Sequence, residues 1–150
     1  MSTLSASEIY LLICTVLFVY ATCGCWLLQV MCYPAYSLVG ENEFVPFHVF
    51  SGKRLIPVFV IPAVLACLMG IGLIFFRPAS VSLVAALVVA ACAVVILATT
   101  AIVEVPKHNW LDKNGKSEAV IQALIKSNLP RALSWSLGSL VLVAALAQML

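Results

Sequence analysis

Four long stretches without a charged side chain dominate the pattern of hydrophobic and polar positions along this chain. They cover residues 9–33, 55–76, 79–103 and 132–150. Each is about as long as the roughly 20 apolar residues that a helix needs to cross the hydrocarbon core of a bilayer. The pattern therefore predicts an all-α, polytopic membrane protein. Residues 1–150 form a single domain, a bundle of four transmembrane helices.

Two polar segments, residues 34–54 and 104–131, connect the first helix to the second and the third to the fourth. In the later segment, apolar residues recur at helical spacing after Ser117, a residue type that often caps a helix. They are Val120, Ile121, Leu124 and Ile125. This spacing predicts an amphipathic extension that leads into the fourth helix. In the earlier segment, residues 44–50 are apolar apart from His48 and predict either an interfacial stretch or an extension of the second helix.

Proline positions also shape the predicted helices. Pro62 lies inside the second helix, where it removes a backbone hydrogen bond and is expected to bend the helix. Such a bend is tolerated in a bundle when neighbouring groups satisfy the carbonyl that the proline leaves free. Arg77 and Pro78 predict a tight turn, so that the second and third helices form an antiparallel hairpin.

Composition supports a membrane protein and limits its partners. Hydrophobic residues make up 64% of the chain and charged residues 9%, whereas a typical globular protein is about 25% charged. The net charge of +2, with no basic tract, argues against a nucleic-acid partner. The expected partners are membrane lipids, a hydrophobic small molecule, and other membrane subunits or further copies of the chain. The first apolar stretch lacks the basic flank of a signal peptide and is expected to be a retained helix.

The distribution of lysine and arginine predicts the orientation in the membrane. Of the 8 basic residues, only Arg77 falls on the side of the termini, and the rest fall in the two long polar segments or at their edges. Cytoplasmic loops carry an excess of these residues. The protein is therefore predicted to be integral and multi-pass, with loops 34–54 and 104–131 in the cytoplasm and both termini outside.

The 6 cysteines all lie within predicted helices. Cys23 and Cys25 are two residues apart and do not form the Cys-x-x-Cys pair of a thiol oxidoreductase. Cysteine is small and polarizable, so these residues are expected to serve in packing.

Ionisable residues are absent from the predicted helix centres, which argues against an ion pathway through the bilayer. They gather instead at the cytoplasmic end of the predicted bundle, where every helix contributes a polar group. The group comprises Gln29, Glu43, His48, Lys53, Arg54, Glu104, Lys107, His108, Asn128 and Arg131. This constellation is the candidate site.

Several chemistries are compatible with these residues. His48, Glu104 and His108 could hold a metal such as iron, with positions open for oxygen. His48 and His108 lie on different helices and could ligate haem b. Without any cofactor, a histidine oriented by a carboxylate can act as a general acid or base, and Arg131 can hold an oxyanion. Alternatively, these residues are interfacial groups that cap helices and contact lipid headgroups.

The order of these short motifs resembles the anthrone oxygenase-like family of small four-helix membrane proteins, many without an assigned activity. The first helix ends in Gln29 and Pro34, and His48 precedes the second helix. Pro-x-x-Asn follows the third helix, and Asn-x-x-Arg enters the fourth. These last two motifs are Pro106 with Asn109 and Asn128 with Arg131. The chain departs from the family pattern at His108 and at Leu124, where a small or apolar residue and an aromatic residue are expected.

The resemblance implies a cofactor-independent, monooxygenase-like activity, because some members oxygenate polyketide anthrones without metal or flavin. It implies His48 as the base, Arg131 as the group that stabilises an oxyanion, and Asn109 and Asn128 as residues that position the substrate. Together with the clustering above, it predicts catalytic residues His48, Arg131 and Asn109 and substrate-binding residues Gln29, Glu43 and Asn128. The predicted substrate is a hydrophobic aromatic or quinone-like molecule. The alternative is a non-catalytic subunit or assembly factor of a larger membrane complex.

Overall fold

Four long helices make up the protein in a computed structural model that describes residues 4–149. They are α1 (Ala6–Tyr36), α2 (Glu41–Phe76), α3 (Leu83–Asn114) and α4 (Glu118–Ala147). All four are long and apolar enough to cross a membrane. This agrees with the all-α, multi-pass architecture predicted from the hydrophobic pattern.

The helices are longer than the apolar stretches predicted. Most of the segment 34–54 belongs to α1 and α2, and most of 104–131 belongs to α3 and α4, so the predicted loops shrink to residues 37–40 and 115–117. At 1.5 Å per residue, the 36 residues of α2 extend about 54 Å, well beyond a hydrocarbon core of about 30 Å. Hydropathy identifies only the apolar part of a helix. The polar turns that extend each helix beyond the membrane are not detected by it.

Helices adjacent in sequence pack side by side, and α1 closes the ring by packing on α4.

The third helix begins at Leu83, not at residue 79, because a turn over 78–81 precedes it and the Ser82 side chain accepts a hydrogen bond from the Ala85 N–H. Residues 44–50 extend the second helix, which was one of the two predicted alternatives. Lys116, in the connection between α3 and α4, joins it to the connection between α1 and α2. Its ammonium donates hydrogen bonds to the Ser37 and Val39 carbonyls.

Phe18 lies at the centre of the apolar half of the bundle, where two glycines make room for its ring. A Cβ added to Gly70 or Gly138 would lie 2.9 or 2.7 Å from that ring. Trp135 meets the same ring edge-on at a centroid distance of 5.0 Å. Small residues at helix contacts allow this close approach, which stabilises membrane bundles through van der Waals packing. Four of the six cysteines are also buried, and all six are free thiols.

A single π-helical turn interrupts each of α1, α2 and α3 and ends two residues before a proline. The turns span Leu28–Cys32, Ile56–Val60 and Thr100–Glu104, ahead of Pro34, Pro62 and Pro106. In each, the residue before the proline donates its N–H to the carbonyl five positions earlier. Proline lacks an N–H and its ring collides with the carbonyl four residues back, so a wider turn relieves the crowding. The helix then continues, which carries α3 past Pro106.

A tyrosine on α1 satisfies the carbonyl that Pro62 leaves free. The residue that would donate to the Val58 carbonyl in an α-helix is Pro62, and the Tyr20 hydroxyl donates to that carbonyl instead, at 2.5 Å. A neighbouring helix thus supplies the partner of this carbonyl. Tyr10 makes a similar bond to the Met69 carbonyl, but no proline follows Met69 by four residues.

Replacing Tyr20 with phenylalanine should therefore destabilise the bundle by about 1 kcal/mol, because the Val58 carbonyl loses its partner in an apolar setting. Tyr10→Phe is the matched control and should cost less, since the Met69 carbonyl keeps an ordinary helical donor. Unfolding titrations in mixed micelles measure both values. Equal losses for the two variants would contradict the role assigned to Tyr20.

Candidate functional site

A cleft of about 380 Å³ opens between α2 and α3 at the polar end of the bundle, and residues of α1 and α4 also line it. It begins at the level of the π-helical turns of α2 and α3 and continues into the polar extensions of both helices. Its polar side chains include His48, Glu104, His108, Asn109, Asp112 and Arg131. The volume lies within the range of roughly 300–1,000 Å³ that is typical of small-molecule sites.

Apolar side chains form the remaining wall of the cleft. They include Leu28, Leu55, Ile56, Phe59, Val60 and Val105. Several of them, such as Ile56 and Val105, are also exposed on the outer surface of the bundle. The site thus combines an apolar wall with a few polar groups on one side, an arrangement suited to an apolar ligand that carries one or two polar substituents.

Two histidines and an aspartate form a hydrogen-bonded row along one side of the cleft. The Nδ1 atom of His48 lies 2.6 Å from Oδ1 of Asp112, and its Nε2 atom lies 2.9 Å from Nδ1 of His108. The Tyr33 hydroxyl lies 3.4 Å from Nε2 of His108. His48 is 3% exposed and packs against the rings of Tyr36 and Phe44. The row therefore has fixed ring orientations and spans three helices.

An ion pair forms the second polar group of the cleft. Glu104 on α3 and Arg131 on α4 are both buried, with Oε2 and Nη1 3.7 Å apart. Ser127 donates to the other carboxylate oxygen at 2.5 Å and accepts a hydrogen bond from Lys107 at 2.7 Å. Among residues 4–149, Oε2 of Glu104 and Nε of Arg131 have no hydrogen-bond partner. One oxygen of Glu104 can therefore still accept a hydrogen bond, and one nitrogen of Arg131 can still donate one, next to the cleft.

The structure brings three of the six predicted site residues to the cleft, namely His48, Asn109 and Arg131. His108 and Glu104, proposed from sequence as metal ligands with His48, also line it. Glu104 and His108 share a helix because α3 continues past Pro106, which the sequence left open.

The other three predicted residues lie outside the cleft. Gln29 and Asn128 bond each other at 2.9 Å, and Asn128 is fully buried against Cys25. These two amides join α1 to α4, which is a structural contact. Glu43 is exposed in the first turn of α2, next to Gly40.

Asp112 and Tyr33, which complete the hydrogen-bonded row of the cleft, were missed by sequence reasoning. Asp112 is four residues after His108, the spacing that places two side chains on one helical face. That signal was available but depended on α3 continuing through Pro106. Tyr33 ends the first apolar stretch and was not included in the predicted site, yet it is 3% exposed and faces His108 at a ring-centroid distance of 5.7 Å.

The histidines are paired with each other and with a single aspartate in the structure. Within residues 4–149, no group of three or more His, Cys, Asp or Glu side chains is arranged to hold a metal ion. Iron and haem b stay alternatives that metal analysis and the absorbance spectrum of the purified protein decide.

Fold and site together define the chain as a four-helix protein suited to the membrane, with a partly buried acid–base cluster in a cleft at one end. Comparison with known proteins adds no relative: no family model matches the sequence, and no similar protein is found among curated sequences or among solved structures. The resemblance to the anthrone oxygenase-like family therefore stays a prediction that rests on the short motifs.

Proposed function

We propose that this protein is a membrane-embedded, cofactor-independent oxygenase-like enzyme that acts on a hydrophobic aromatic molecule. The cleft faces the cytoplasm in this proposal, because most basic residues lie at its end of the bundle. The observation that carries the proposal is the pairing of a hydrogen-bonded histidine–aspartate row with a buried arginine in a mainly apolar cleft.

The residues of the cleft supply the two functions that such a reaction needs. An imidazole within reach of an acidic C–H or O–H bond removes the proton, and Arg131 stabilises the resulting enolate or phenolate. The apolar wall excludes water, which strengthens this electrostatic stabilisation. Asn109 is exposed at the cleft, and in this proposal it contacts a polar substituent of the ligand.

The electron balance of the reaction requires no added reductant. An activated methylene group flanked by two aromatic rings loses four electrons as it becomes a carbonyl, and dioxygen accepts those four electrons. One oxygen atom enters the product and the other leaves as water. The protein contributes deprotonation and anion binding, which make the substrate electron-rich enough to react with dioxygen.

Anthrone provides a direct test because its central methylene is acidic and its oxidation product is anthraquinone. We expect the purified protein in nanodiscs to accelerate oxygen consumption with anthrone, and one ¹⁸O atom from ¹⁸O₂ to appear in each product molecule. A protein that neither binds anthrone nor accelerates its oxidation, and that is stable only with other polypeptides, would instead support the subunit or assembly-factor alternative.

Gly52 offers a way to block the cleft without disturbing the fold. It lies on α2 and lines the cleft, and a Cβ added there meets no atom within 4 Å. Gly52→Leu should fill the cleft and abolish anthrone binding, measured by fluorescence titration. Gly52→Ala is the matched control and should retain binding and gain about 0.5–1 kcal/mol of stability, because alanine favours a helix interior over glycine. Unchanged binding by Gly52→Leu would place the ligand elsewhere.

A further inference from the structure

Asp112 determines which histidine nitrogens in the hydrogen-bonded row carry protons. An ionised carboxylate only accepts hydrogen bonds, so Nδ1 of His48 carries the proton directed at Asp112. Nε2 of a neutral His48 is then an acceptor, and Nδ1 of His108 must donate to it. Nε2 of a neutral His108 is left with a lone pair, which faces the Tyr33 hydroxyl.

We propose that His108, not His48, is the base of this site, and that Asp112 and His48 form a relay that orients His108 and receives its proton. Both ring nitrogens of His48 are committed to short contacts of 2.6 and 2.9 Å, so neither is free for a substrate. The contact between Tyr33 and Nε2 of His108 is 3.4 Å, at the long limit for a hydrogen bond, and a ligand hydroxyl can displace it.

The relay moves one net positive charge through two proton transfers and moves no electrons. Nε2 of His108 takes a proton from the ligand, and its Nδ1 proton passes to Nε2 of His48. His48 then becomes an imidazolium beside the Asp112 carboxylate, a charge-assisted pair. The Asp112 side chain is 37% exposed, whereas that of His48 is 3% exposed. The positive charge therefore ends next to the group in the row that contacts solvent, and the ligand anion remains opposite Arg131.

The relay makes a prediction about tautomers that is independent of any substrate. A free neutral histidine favours the proton on Nε2, whereas the relay places the proton of both rings on Nδ1. The chain contains only 2 histidines, so a ¹⁵N spectrum of histidine-labelled, untagged protein in micelles at slightly alkaline pH resolves both. Spectra of His48→Phe and His108→Phe identify the resonances of each ring.

We expect Nδ1–H tautomers for both rings in the wild-type protein. Asp112→Ala removes the acceptor, so both rings should switch to the Nε2–H tautomer. Glu41→Ala removes an exposed carboxylate from the first turn of α2 and should leave the spectrum unchanged. A wild-type ring with its proton on Nε2, or an Asp112→Ala spectrum identical to that of the wild type, would overturn the relay.

The role of His108 as base rests on the proposed function and has a separate test. A hydrophobic nitrophenol such as 4-nitro-1-naphthol shows by its visible absorbance whether it is bound as phenol or phenolate. The wild-type cleft should raise the phenolate-to-phenol ratio of the bound probe, and Asp112→Ala should lower that ratio by about tenfold, one pKa unit of the probe, while still binding it. An equal ratio in both proteins would overturn the assignment of the base. Failure of the probe to bind would count against the proposed function, and the tautomers would still decide the relay.

Discussion

Replacing Glu104 with alanine should lower the free energy of unfolding by about 3–5 kcal/mol, because Arg131 would stay buried without its carboxylate partner. The two residues are 2% and 6% exposed, and their charged atoms lie 3.7 Å apart at the contact between α3 and α4. Loss of the carboxylate also removes one acceptor of Ser127, whose hydroxyl still lies 2.8 Å from the Ala123 carbonyl oxygen. Unfolding titrations in mixed micelles measure the change.

Removal of both charges together should restore most of that stability. A buried ion pair can often be replaced by apolar side chains of similar volume at little cost, because the desolvation penalty of both ions disappears as well. The double variant Glu104→Gln with Arg131→Met is therefore expected to be more stable than Glu104→Ala. Glu43→Ala, which removes an exposed carboxylate, is the control and should change stability by less than about 0.5 kcal/mol. A small loss for Glu104→Ala, similar to that control, would show that the pair is solvated in the membrane.

Replacing His108 with phenylalanine should lower the turnover number by about 10²–10⁴-fold, the usual contribution of a general base. The KM for anthrone should change little, because the apolar wall and Arg131 remain. Phenylalanine keeps the aromatic packing against Tyr33, which lies 5.7 Å away between ring centroids. Steady-state oxygen consumption at several anthrone concentrations separates the two constants.

The two histidines should also fail to act additively. If they form one relay, His48→Phe already removes most of the rate, and the double variant should be about as slow as either single variant. Rate losses that multiply in the double variant would show that the histidines act separately. Folding is checked for each variant by helical circular dichroism, so that a loss of rate is not confused with a loss of structure.

The apolar stretches were sufficient to predict the class of fold. Helices that cross a bilayer need about 20 apolar residues, and four such runs leave little choice of architecture. The hydrogen bond from Tyr20 to the Val58 carbonyl meets a general requirement, because a proline in an apolar helix leaves a carbonyl that another group must satisfy. Its donor could not be named, since that depends on how α1 packs against α2.

The candidate site was predicted only in part. His48, Glu104, His108 and Arg131 were grouped correctly at one end of the bundle, since each lies just beyond an apolar stretch. Asp112 was missed because its position depends on α3 continuing through Pro106, which a π-helical turn makes possible. Asn128 was assigned to the substrate, but the structure pairs it with Gln29, because helix rotation decides which face of α4 meets the cleft.

The sequence by itself determined the number of helices and the end of the bundle at which the polar residues collect, because both follow from the free energy of placing side chains in hydrocarbon or water. Only the tertiary structure decided which of those residues touch. Contacts such as His48 with His108 and Glu104 with Arg131 join different helices. They depend on the rotation of each helix and on the wider turns before the prolines, which hydropathy along a single chain does not encode.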